Sequence, residues 1–482
     1  MRRLAASIAT VALAWALCWG RAGIGPDAAG DPGSAGQFLV LEGATLIDGT
    51  GDPPRRDAVV TVRGDRILSV RRSLPRGAGA AGAGPARVVD LKGRWLLPGF
   101  IDMHAHVTIL PMGADGLFQS HSDRAASEQV LRTLLAMGIT TVRNPAAPSG
   151  DGVALREAVA AGSIQGPRIF TAGESMNLPA ARLSPPAVGV ETEEQVRAEV
   201  RRQAGAGVDF VKLYASLPPP LVRAAIEEAH AHGLRVIGHL QETTWTEAAR
   251  AGIDFITHGA PWAAAYLPAE RRSEYRALGA AVRSRINWLE WLDPRGPEIR
   301  EMIRLLKERR IPLDPTLIAY HTKFWGDDRR YLNSPDLALV PGPIRATWDR
   351  GWLGWGPREF ARARAVWPKV LELVRLYYDR GVTLLAGSDV PNPWIVPGVG
   401  FHQEMELLVS AGIPPRAVLV IATANGARAL GIGEEAGTIE AGKLADMVVL
   451  SADPLASISN TRSIEWVVKG GVMLRPADLM RW

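Results

Sequence analysis

The feature that most constrains the fold of this chain is a series of short apolar segments that alternate with helix-type segments. Eight apolar segments lie within residues 99–431, and each interval between them is long enough for a helix. Such alternation is typical of βα units in a parallel sheet, and eight units predict an α/β fold of the closed (β/α)8 TIM-barrel type. The predicted strands are residues 100–107, 139–143, 168–172, 209–214, 235–240, 254–258, 311–318 and 382–389.

The two flanks of the predicted barrel have the pattern of short strands. Residues 38–98 contain four β-type runs separated by Gly-rich turns, and β character returns within residues 432–482, first at 437–442. Because the segments adjoin the two ends of the barrel, we expect them to pair with each other. The prediction is a composite β-sandwich domain, with residues 38–98 as its N-terminal part and 432–482 as its C-terminal part.

The first 22 residues have the three-part form of a secretory signal. Arg2 and Arg3 precede an uncharged run that is slightly short for a membrane span. We therefore expect a signal peptide at 1–22, a flexible linker at 23–37, and export to the periplasm or medium; an uncleaved N-terminal anchor is the alternative. Cleavage also removes Cys18, the single cysteine, so a metal site must use nitrogen and oxygen ligands.

The charge balance argues against a nucleic-acid-binding protein. The chain has 55 basic and 50 acidic residues, a formal charge of +5. Arg2, Arg3 and Arg21 belong to the signal region, and without them the charge is +2. This balance lacks the basic footprint of nucleic-acid binders. We expect a small-molecule substrate, no stable membrane insertion after signal removal, and an oligomeric state that leaves a homo-oligomer possible.

Four histidines, one lysine and one aspartate lie at or near the ends of the predicted strands, where barrel enzymes carry their active sites. Two of the histidines stand two residues apart on the first strand, so both face the barrel interior and can chelate one cation. Burying so many polar groups independently would be costly, which favours one shared site. These residues are His104, His106, Lys212, His239, His258 and Asp389.

Lys212 is unusual in this set, because an ammonium group cannot bind a metal ion. Burial near cations would lower its pKa, and a neutral amine reacts with carbon dioxide to form a carbamate. A carbamate is an anion with two oxygens that can bridge two metal ions. The alternative is that Lys212 forms an ion pair with a carboxylate.

Several motifs resemble those of one enzyme superfamily. The segment GRWLLPGFIDMHAHV at 93–107 resembles the entry to the first barrel strand of the amidohydrolase superfamily. TANGARALGIGEEAGTIEAGKLADMVVL at 423–450 resembles the return of that superfamily into its composite β domain. DFVKLYAS, VIGHLQE, DFITHG and LLAGSD resemble the strand ends of its binuclear branch, which is imidazolonepropionase-like and prolidase-like (Xaa-Pro dipeptidase type). The resemblance extends from Phe38 to the C-terminus.

The resemblance implies two divalent metal ions, for which zinc is the favoured identity. It also implies that Lys212 is carboxylated, as N6-carboxylysine, and bridges the two ions. The implied ligands are His104, His106, Lys212 and Asp389 for the first ion, and Lys212, His239 and His258 for the second.

The implied reaction is hydrolysis of an amide or peptide C–N bond in a small substrate, such as a dipeptide or an N-acyl amino acid. A hydroxide that bridges the two ions would attack the carbonyl carbon, and Asp389 would carry its proton to the leaving nitrogen. Tyr214 follows Lys212 by two residues on the same face. We expect it to bind the developing oxyanion or a substrate carboxylate, or else to pack at the barrel top.

Three other histidines, His121, His321 and His402, fall in predicted loops after the first, seventh and eighth strands. They are candidates for substrate binding, or else ordinary surface residues. Asn144 stands where relatives often carry an acid, so we assign it no catalytic role, and we expect Arg143 to be structural. The long insertions between residues 262 and 380 are rich in tryptophan, which predicts either helix packing or an aromatic wall formed by Trp325 and residues 348–355 over the barrel mouth.

Three alternative functions are compatible with the sequence. The His239-Leu-Gln-Glu242 segment also fits the His-x-x-Glu pattern of mononuclear deaminases in the same superfamily, although those enzymes do not need Lys212. A cyclic-amide (lactam) hydrolase would use the same residues as an amidase. A non-catalytic exported binding protein is disfavoured because none of the expected ligand positions is lost.

Overall fold

The computed structural model describes residues 38–72, 86–112, 119–179, 186–279, 282–348 and 353–482. The predicted signal peptide and linker lie outside the described residues, and so does Trp352 in the Trp-rich insertion. Within the described ranges, we found no helix whose length and apolar character would let it cross a membrane.

Strands and helices alternate through most of the described chain. The strands are β1 (Phe38–Leu46), β2 (Arg55–Arg63), β3 (Arg66–Arg72), β4 (Ala86–Asp90), β5 (Trp95–Pro98), β6 (Phe100–Asp102), β7 (Ile139–Asn144), β8 (Arg168–Thr171), β9 (Ser175–Asn177), β10 (Ala187–Gly189), β11 (Phe210–Leu213), β12 (Arg235–Gly238), β13 (Phe255–Thr257), β14 (Leu313–Asp314), β15 (Met447–Leu450), β16 (Ile464–Lys469) and β17 (Val472–Leu474). The helices are α1 (Arg124–Ala136), α2 (Ser149–Ala160), α3 (Glu193–Gly205), α4 (Pro219–Ala231), α5 (Trp245–Ala251), α6 (Ala269–Ala277), α7 (Val282–Trp291), α8 (Pro297–Glu308), α9 (Leu317–Phe324), α10 (Arg329–Leu332), α11 (Gly342–Ala346), α12 (Pro357–Asp379), α13 (Val399–Ser410), α14 (Pro415–Val420), α15 (Gly426–Leu430) and α16 (Pro476–Leu479).

Strands from both flanks of the chain form one eight-stranded sheet. Its order is β17-β16-β15-β5-β1-β2-β3, and β4 also pairs with β1. The C-terminal strand β15 is antiparallel to both β16 and the N-terminal strand β5. Side chains alternate along β15: Met447 and Val449 pack in the core of the flank sheet, whereas Val448 and Leu450 pack in the larger core below the α/β part. The flank sheet is therefore attached to the rest of the molecule by apolar packing.

The middle of the chain is an α/β structure with parallel strands. One sheet has the order β10-β9-β11-β12-β13-β14, and another has the order β6-β7-β8. Isolated parallel bridges lie beyond the ends of these sheets, and they connect Ala172 with Phe210, Leu313 with Leu384, and Ala105 with Val390.

The last two predicted barrel strands are shorter in the structure than the sequence indicated. The seventh, at 311–318, reduces to β14, because Pro315 has no N–H for a strand ladder and α9 begins at Leu317. The eighth, at 382–389, forms only the bridges at Leu384 and Val390.

His321 and His402, expected in loops, lie in the helices α9 and α13.

The β-type run predicted at 437–442 is also wrong. No strand forms among these residues, all of which the structure describes. Gly437 and Gly442 have φ values of 90° and 91°, a left-handed conformation that a strand does not allow.

Candidate metal centre

One cleft receives all six side chains that the sequence singled out as metal ligands. They come from the carboxyl ends of parallel strands, which lie together at one edge of the α/β part. The cleft has an empty volume of about 810 Å³, which includes open solvent. His104 and His106 follow β6, Lys212 lies in β11, His239 follows β12, His258 follows β13, and Asp389 precedes the bridge at Val390.

His104, His106 and Asp389 form the most compact group in the cleft. The Nε2 atoms of the two histidines each lie 3.4 Å from Asp389 Oδ1, and one potential ligand atom from each residue lies within 4.8 Å of the others. Burial keeps the pKa of His104 well below its ordinary value, so the imidazole is neutral and has a free lone pair. Two imidazole nitrogens and a carboxylate oxygen suit a divalent cation such as zinc.

Asp389 is ionised in this group. Burial opposes its ionisation, but neighbouring donors and cations, among them His106 and Lys323, outweigh that effect and lower the pKa of Asp389 to about 2. A carboxylate in this state can bind a cation or accept a proton.

His239 and His258 form a second group beside the first. His239 Nδ1 lies 2.7 Å from His258 Nε2, and the ring centroids of His104 and His258 are 5.1 Å apart. Burial lowers the pKa of both His239 and His258 well below the ordinary value. Both imidazoles are therefore neutral, and each has one unprotonated ring nitrogen that can act as a ligand.

Lys212 is buried between the two groups and has an unusually acidic ammonium group. Its Nζ donates a hydrogen bond to Thr257 Oγ1 at 3.4 Å. Burial lowers the pKa of Lys212 to about 7; Asp314 opposes this shift and the charge of Arg143 adds to it. A large share of Lys212 is therefore an uncharged amine near neutral pH.

Asp314, a residue that sequence reasoning did not single out, orients His104. Its Oδ1 lies 2.7 Å from His104 Nδ1, and its Oδ2 accepts a hydrogen bond of 2.6 Å from Arg143 Nη2. Arg143 also donates from Nε to the carbonyl oxygen of Met103 at 2.7 Å. All of these side chains are buried. A carboxylate on the far nitrogen of a histidine fixes the ring so that the other nitrogen faces a metal ion.

Three residues of the site hold a left-handed backbone conformation that residues with a side chain rarely adopt. The φ values are 73° for His258, 58° for Asp389 and 45° for Thr316. Thr316 Oγ1 lies 2.7 Å from His258 Nδ1, so two of these residues are in contact. Backbone strain of this kind costs about 1–3 kcal/mol per residue and is concentrated at functional sites.

The structure places the other histidine candidates away from the cleft. His121 is exposed. His321 stacks on Trp325 with a centroid distance of 4.1 Å, and His402 is buried between Thr461 Oγ1 and the carbonyl oxygen of Met137. Among the described residues, these three histidines are absent from the lining of the cleft.

Asn144 has a structural role near the base of the site. Its side chain donates to Thr108 Oγ1 at 2.9 Å and to Thr171 Oγ1 at 3.2 Å, and its Oδ1 accepts from the backbone N–H of Val107. These bonds tie the segment after β6 to β8.

Tyrosines and one tryptophan form the apolar wall of the cleft. Tyr214 packs against His239 with a ring-centroid distance of 4.3 Å, and burial raises the pKa of Tyr214, which keeps its hydroxyl protonated. Tyr320 and Trp262 complete this wall.

The aromatic wall predicted from Trp325 and residues 348–355 is not found in the part of the chain that the structure describes. Trp325 stacks on His321, Trp348 donates to the carbonyl oxygen of Pro391, and Trp355 packs on Phe360. These side chains pack against their neighbours, so they support the insertion and leave the cleft to other residues.

The insertion contributes two cations to the cleft that no local sequence pattern indicated. Arg285 lies on α7, and its Cζ is 5.4 Å from the centroid of the Trp262 ring. Lys323 lies near the end of α9. Burial lowers the pKa of Lys323 to about 8; Asp389 opposes this shift and Arg285 contributes to it.

Comparisons with known proteins identify the family of the chain. The chain matches the model of the amidohydrolase family over residues 95–474. An uncharacterised protein of Mycobacterium bovis is 32% identical over 191 residues, which are 37% of this chain and 47% of that protein. The chain thus spans about half the length of the first curated relatives that it matches.

Two further similarities extend over most of the chain. An imidazolonepropionase of Symbiobacterium thermophilum is 24% identical over 451 residues, which are 86% of this chain and 91% of that protein. The crystal structure of a Xaa-Pro dipeptidase with bound methionine in its active site has a TM-score of 0.66 at 21% identity. That alignment covers 91% of this chain and all of the dipeptidase chain. At this identity, the structural likeness concerns the fold.

Proposed function

The chain belongs to the amidohydrolase family. From this premise we propose that it is a hydrolase of carbon–nitrogen bonds, a binuclear enzyme that hydrolyses an amide bond in a dipeptide or N-acyl amino acid. The observation that carries the proposal is the convergence of six nitrogen and oxygen donors in one cleft. The His104, His106 and Asp389 group, within 4.8 Å, supports one cation, and the His239–His258 pair supports a second.

The residues fit two divalent ions, for which zinc is our proposal. His104, His106 and Asp389 would hold one ion, and His239 and His258 the other, with Lys212 between them. The lowered pKa of Lys212 supports a carbamate: the uncharged Nζ bonds to the carbon of carbon dioxide and releases one proton. Bound ions of this kind polarise a carbonyl group and lower the pKa of water.

Two side chains of this protein would handle the protons and the developing charge. Asp389 is ionised and lies beside His104 and His106, so we propose that it accepts the proton of the attacking water and later donates it to the leaving nitrogen. Tyr214 keeps its proton, so its hydroxyl would donate a hydrogen bond to the carbonyl oxygen as negative charge develops there.

The finer features of the fold and location belong to the same proposal. We propose that the parallel strands close into a (β/α)8 barrel with a composite β-sandwich at its flanks. The three isolated parallel bridges support closure, since they lie where the two parallel sheets and the segment at 382–389 adjoin. Export, predicted from residues 1–22, and assembly into a homo-oligomer are also proposals.

The deaminase alternative has less support from the site. Glu242, the acid of the His-x-x-Glu pattern, is exposed and does not line the cleft among the described residues. Hydrolysis of a cyclic amide would use the same site and breaks the same type of bond. The relative that acts as an imidazolonepropionase keeps this second candidate open.

The test is product analysis with the zinc-loaded protein. A mixed library of dipeptides, N-acyl amino acids and lactams is incubated with it, and products are followed by mass spectrometry. We expect paired carboxylic acid and amine products from linear amides, which disappear in Asp389→Asn but persist in the surface control Asp336→Asn. Release of ammonia together with the deaminated substrate would support a deaminase. Full metal occupancy without any turnover would support a binding protein.

A further inference from the structure

The cleft has more positive charge than the metal centre needs. Its lining includes Lys212, Arg285 and Lys323, whereas Asp389 is its only acidic residue among the described residues. The histidines add no negative charge. Lys212 and Asp389 are proposed metal ligands, whereas Arg285 and Lys323 line the same cleft and are not among the proposed ligands.

These two cations come from different helices, but their charges act on the same part of the cleft. Arg285 is on α7 and Lys323 on α9, both within the insertion around the seventh strand. The charges of both residues act on His239, whose ring lies on Tyr214. Both side chains line the cleft and lie outside the proposed ligand set.

The side chains have complementary chemistry for an anion. The planar guanidinium of Arg285 is held against the Trp262 ring at 5.4 Å, which pre-orders a group suited to two-point contact with a carboxylate. Lys323 supplies a more compact charge. Burial lowers the pKa of Lys323 to about 8. A nearby anion in so confined a site would stabilise the charged ammonium form.

We propose that Arg285 and Lys323 form a subsite for a carboxylate of the substrate. This inference rests on the proposed amide hydrolysis and narrows its substrate class to amides that carry an anionic group, such as free-acid dipeptides and N-acyl amino acids. It sets aside neutral lactams, esters and C-terminal amides as good substrates. Trp262 and Tyr320 line the same cleft and offer an apolar surface to such a substrate.

The probe is a matched pair, N-acetylphenylalanine and N-acetylphenylalaninamide, each supplied as the racemate. The two compounds differ in one group, a carboxylate or a neutral carboxamide of similar shape. Hydrogen bonds to charged groups are worth more than those between neutral groups. We expect kcat/KM of the zinc-loaded protein to be about 10- to 100-fold higher for the acid, through a lower KM.

The variants are Lys323→Met and Arg285→Met, which remove the charges and keep most of the side-chain volume. Each should lower kcat/KM for the acid about 10-fold or more and leave that for the amide within about threefold. The matched controls are Lys307→Met, at an exposed lysine, and Arg271→Met, at a guanidinium that lies 5.1 Å from the Trp291 ring outside the cleft. Both controls should keep the preference for the acid.

Failure of the inference can be distinguished from failure of the proposed function. Equal kcat/KM for acid and amide in the unmodified protein, or equal losses for both compounds in the variants, would overturn the carboxylate subsite while amide hydrolysis stands. If neither compound is cleaved, their dissociation constants are measured by calorimetry. Tighter binding of the acid that is lost in Lys323→Met and Arg285→Met would then support the subsite, and equal binding of acid and amide would overturn it.

Discussion

Asp314 connects the metal-binding cleft with the interior of the protein. Its two oxygens divide between His104 Nδ1, at 2.7 Å, and Arg143 Nη2, at 2.6 Å. Burial raises the pKa of Asp314 to about 7, against the lowering effect of Arg143 and Lys212. Through these two contacts, Asp314 holds the histidine in one orientation and pairs with a buried guanidinium.

Replacing Asp314 by Asn should weaken metal binding more than it weakens the fold. Asn keeps the shape and one acceptor, but it removes the charge that orients His104. Loss of such a partner costs about 10- to 100-fold in metal affinity, which competition with a chelator measures. The control is Asp336→Asn, which removes a carboxylate paired with Arg462 outside the site. Equal metal affinity in the two variants would contradict this role.

The residues that could be predicted from the sequence share one local signal. His239, His258 and Asp389 each end an apolar β-type run, and that position alone directs a side chain to the cleft. Asp314, Arg285 and Lys323 have no such signal. Asp314 falls inside a predicted strand, most of which forms a turn and the beginning of a helix. The positions of Arg285 and Lys323 depend on how the insertion helices pack.

At the scale of elements, the segment from Leu384 to Val390 illustrates a close approach that needs glycine. A Cβ at Gly387 would lie 2.7 Å from the Cβ of His104 and 3.2 Å from its backbone nitrogen. This segment also contributes Asp389, so the spacing between it and the segment after β6 sets the distance between two predicted ligands. The sequence predicted a strand here, but the segment pairs through isolated bridges at Leu384 and Val390, and Asp389 between them takes a positive φ.

Gly387→Ala should disturb the metal centre by pushing these two segments apart. We expect fewer metal ions per chain and a loss of stability of about 1–3 kcal/mol, as for other overpacked sites. Gly205→Ala at the end of α3 is the control, since a Cβ there meets nothing within 4 Å and Ala favours helix by up to about 1 kcal/mol. Metal content by mass spectrometry and urea unfolding provide the measurements, and unchanged metal content in Gly387→Ala would disprove the steric argument.

At the scale of the whole molecule, His402 joins parts that are distant in sequence. It lies on α13 and contacts Thr461 in the C-terminal flank and the carbonyl oxygen of Met137 after α1. Burial lowers the pKa of His402 to about 4; the hydrogen bond with Met137 opposes this shift. The flank pairing itself followed from the sequence pattern, whereas this contact depends on three-dimensional packing.

The free energy of unfolding should therefore decrease as the pH falls from about 6.5 to 4. In this interval the unfolded chain binds a proton at this position and the folded chain does not, so stability rises with pH. The contribution of His402 is on the order of 3 kcal/mol over that range. The free energy of unfolding of the metal-free protein is measured with urea at each pH across the interval. It should change less steeply with pH in His402→Asn than in the exposed-site control His230→Asn. Equal slopes in the two variants would contradict the assignment.

The most direct test of the binuclear proposal is a zinc titration of the metal-free protein, with amide hydrolysis measured at each step. We predict that activity rises to its maximum at two zinc ions per chain, and that Lys212→Ala retains fewer than two ions and loses activity. Full activity at one ion per chain, or hydrolysis that persists after all metal is removed, would contradict the proposal.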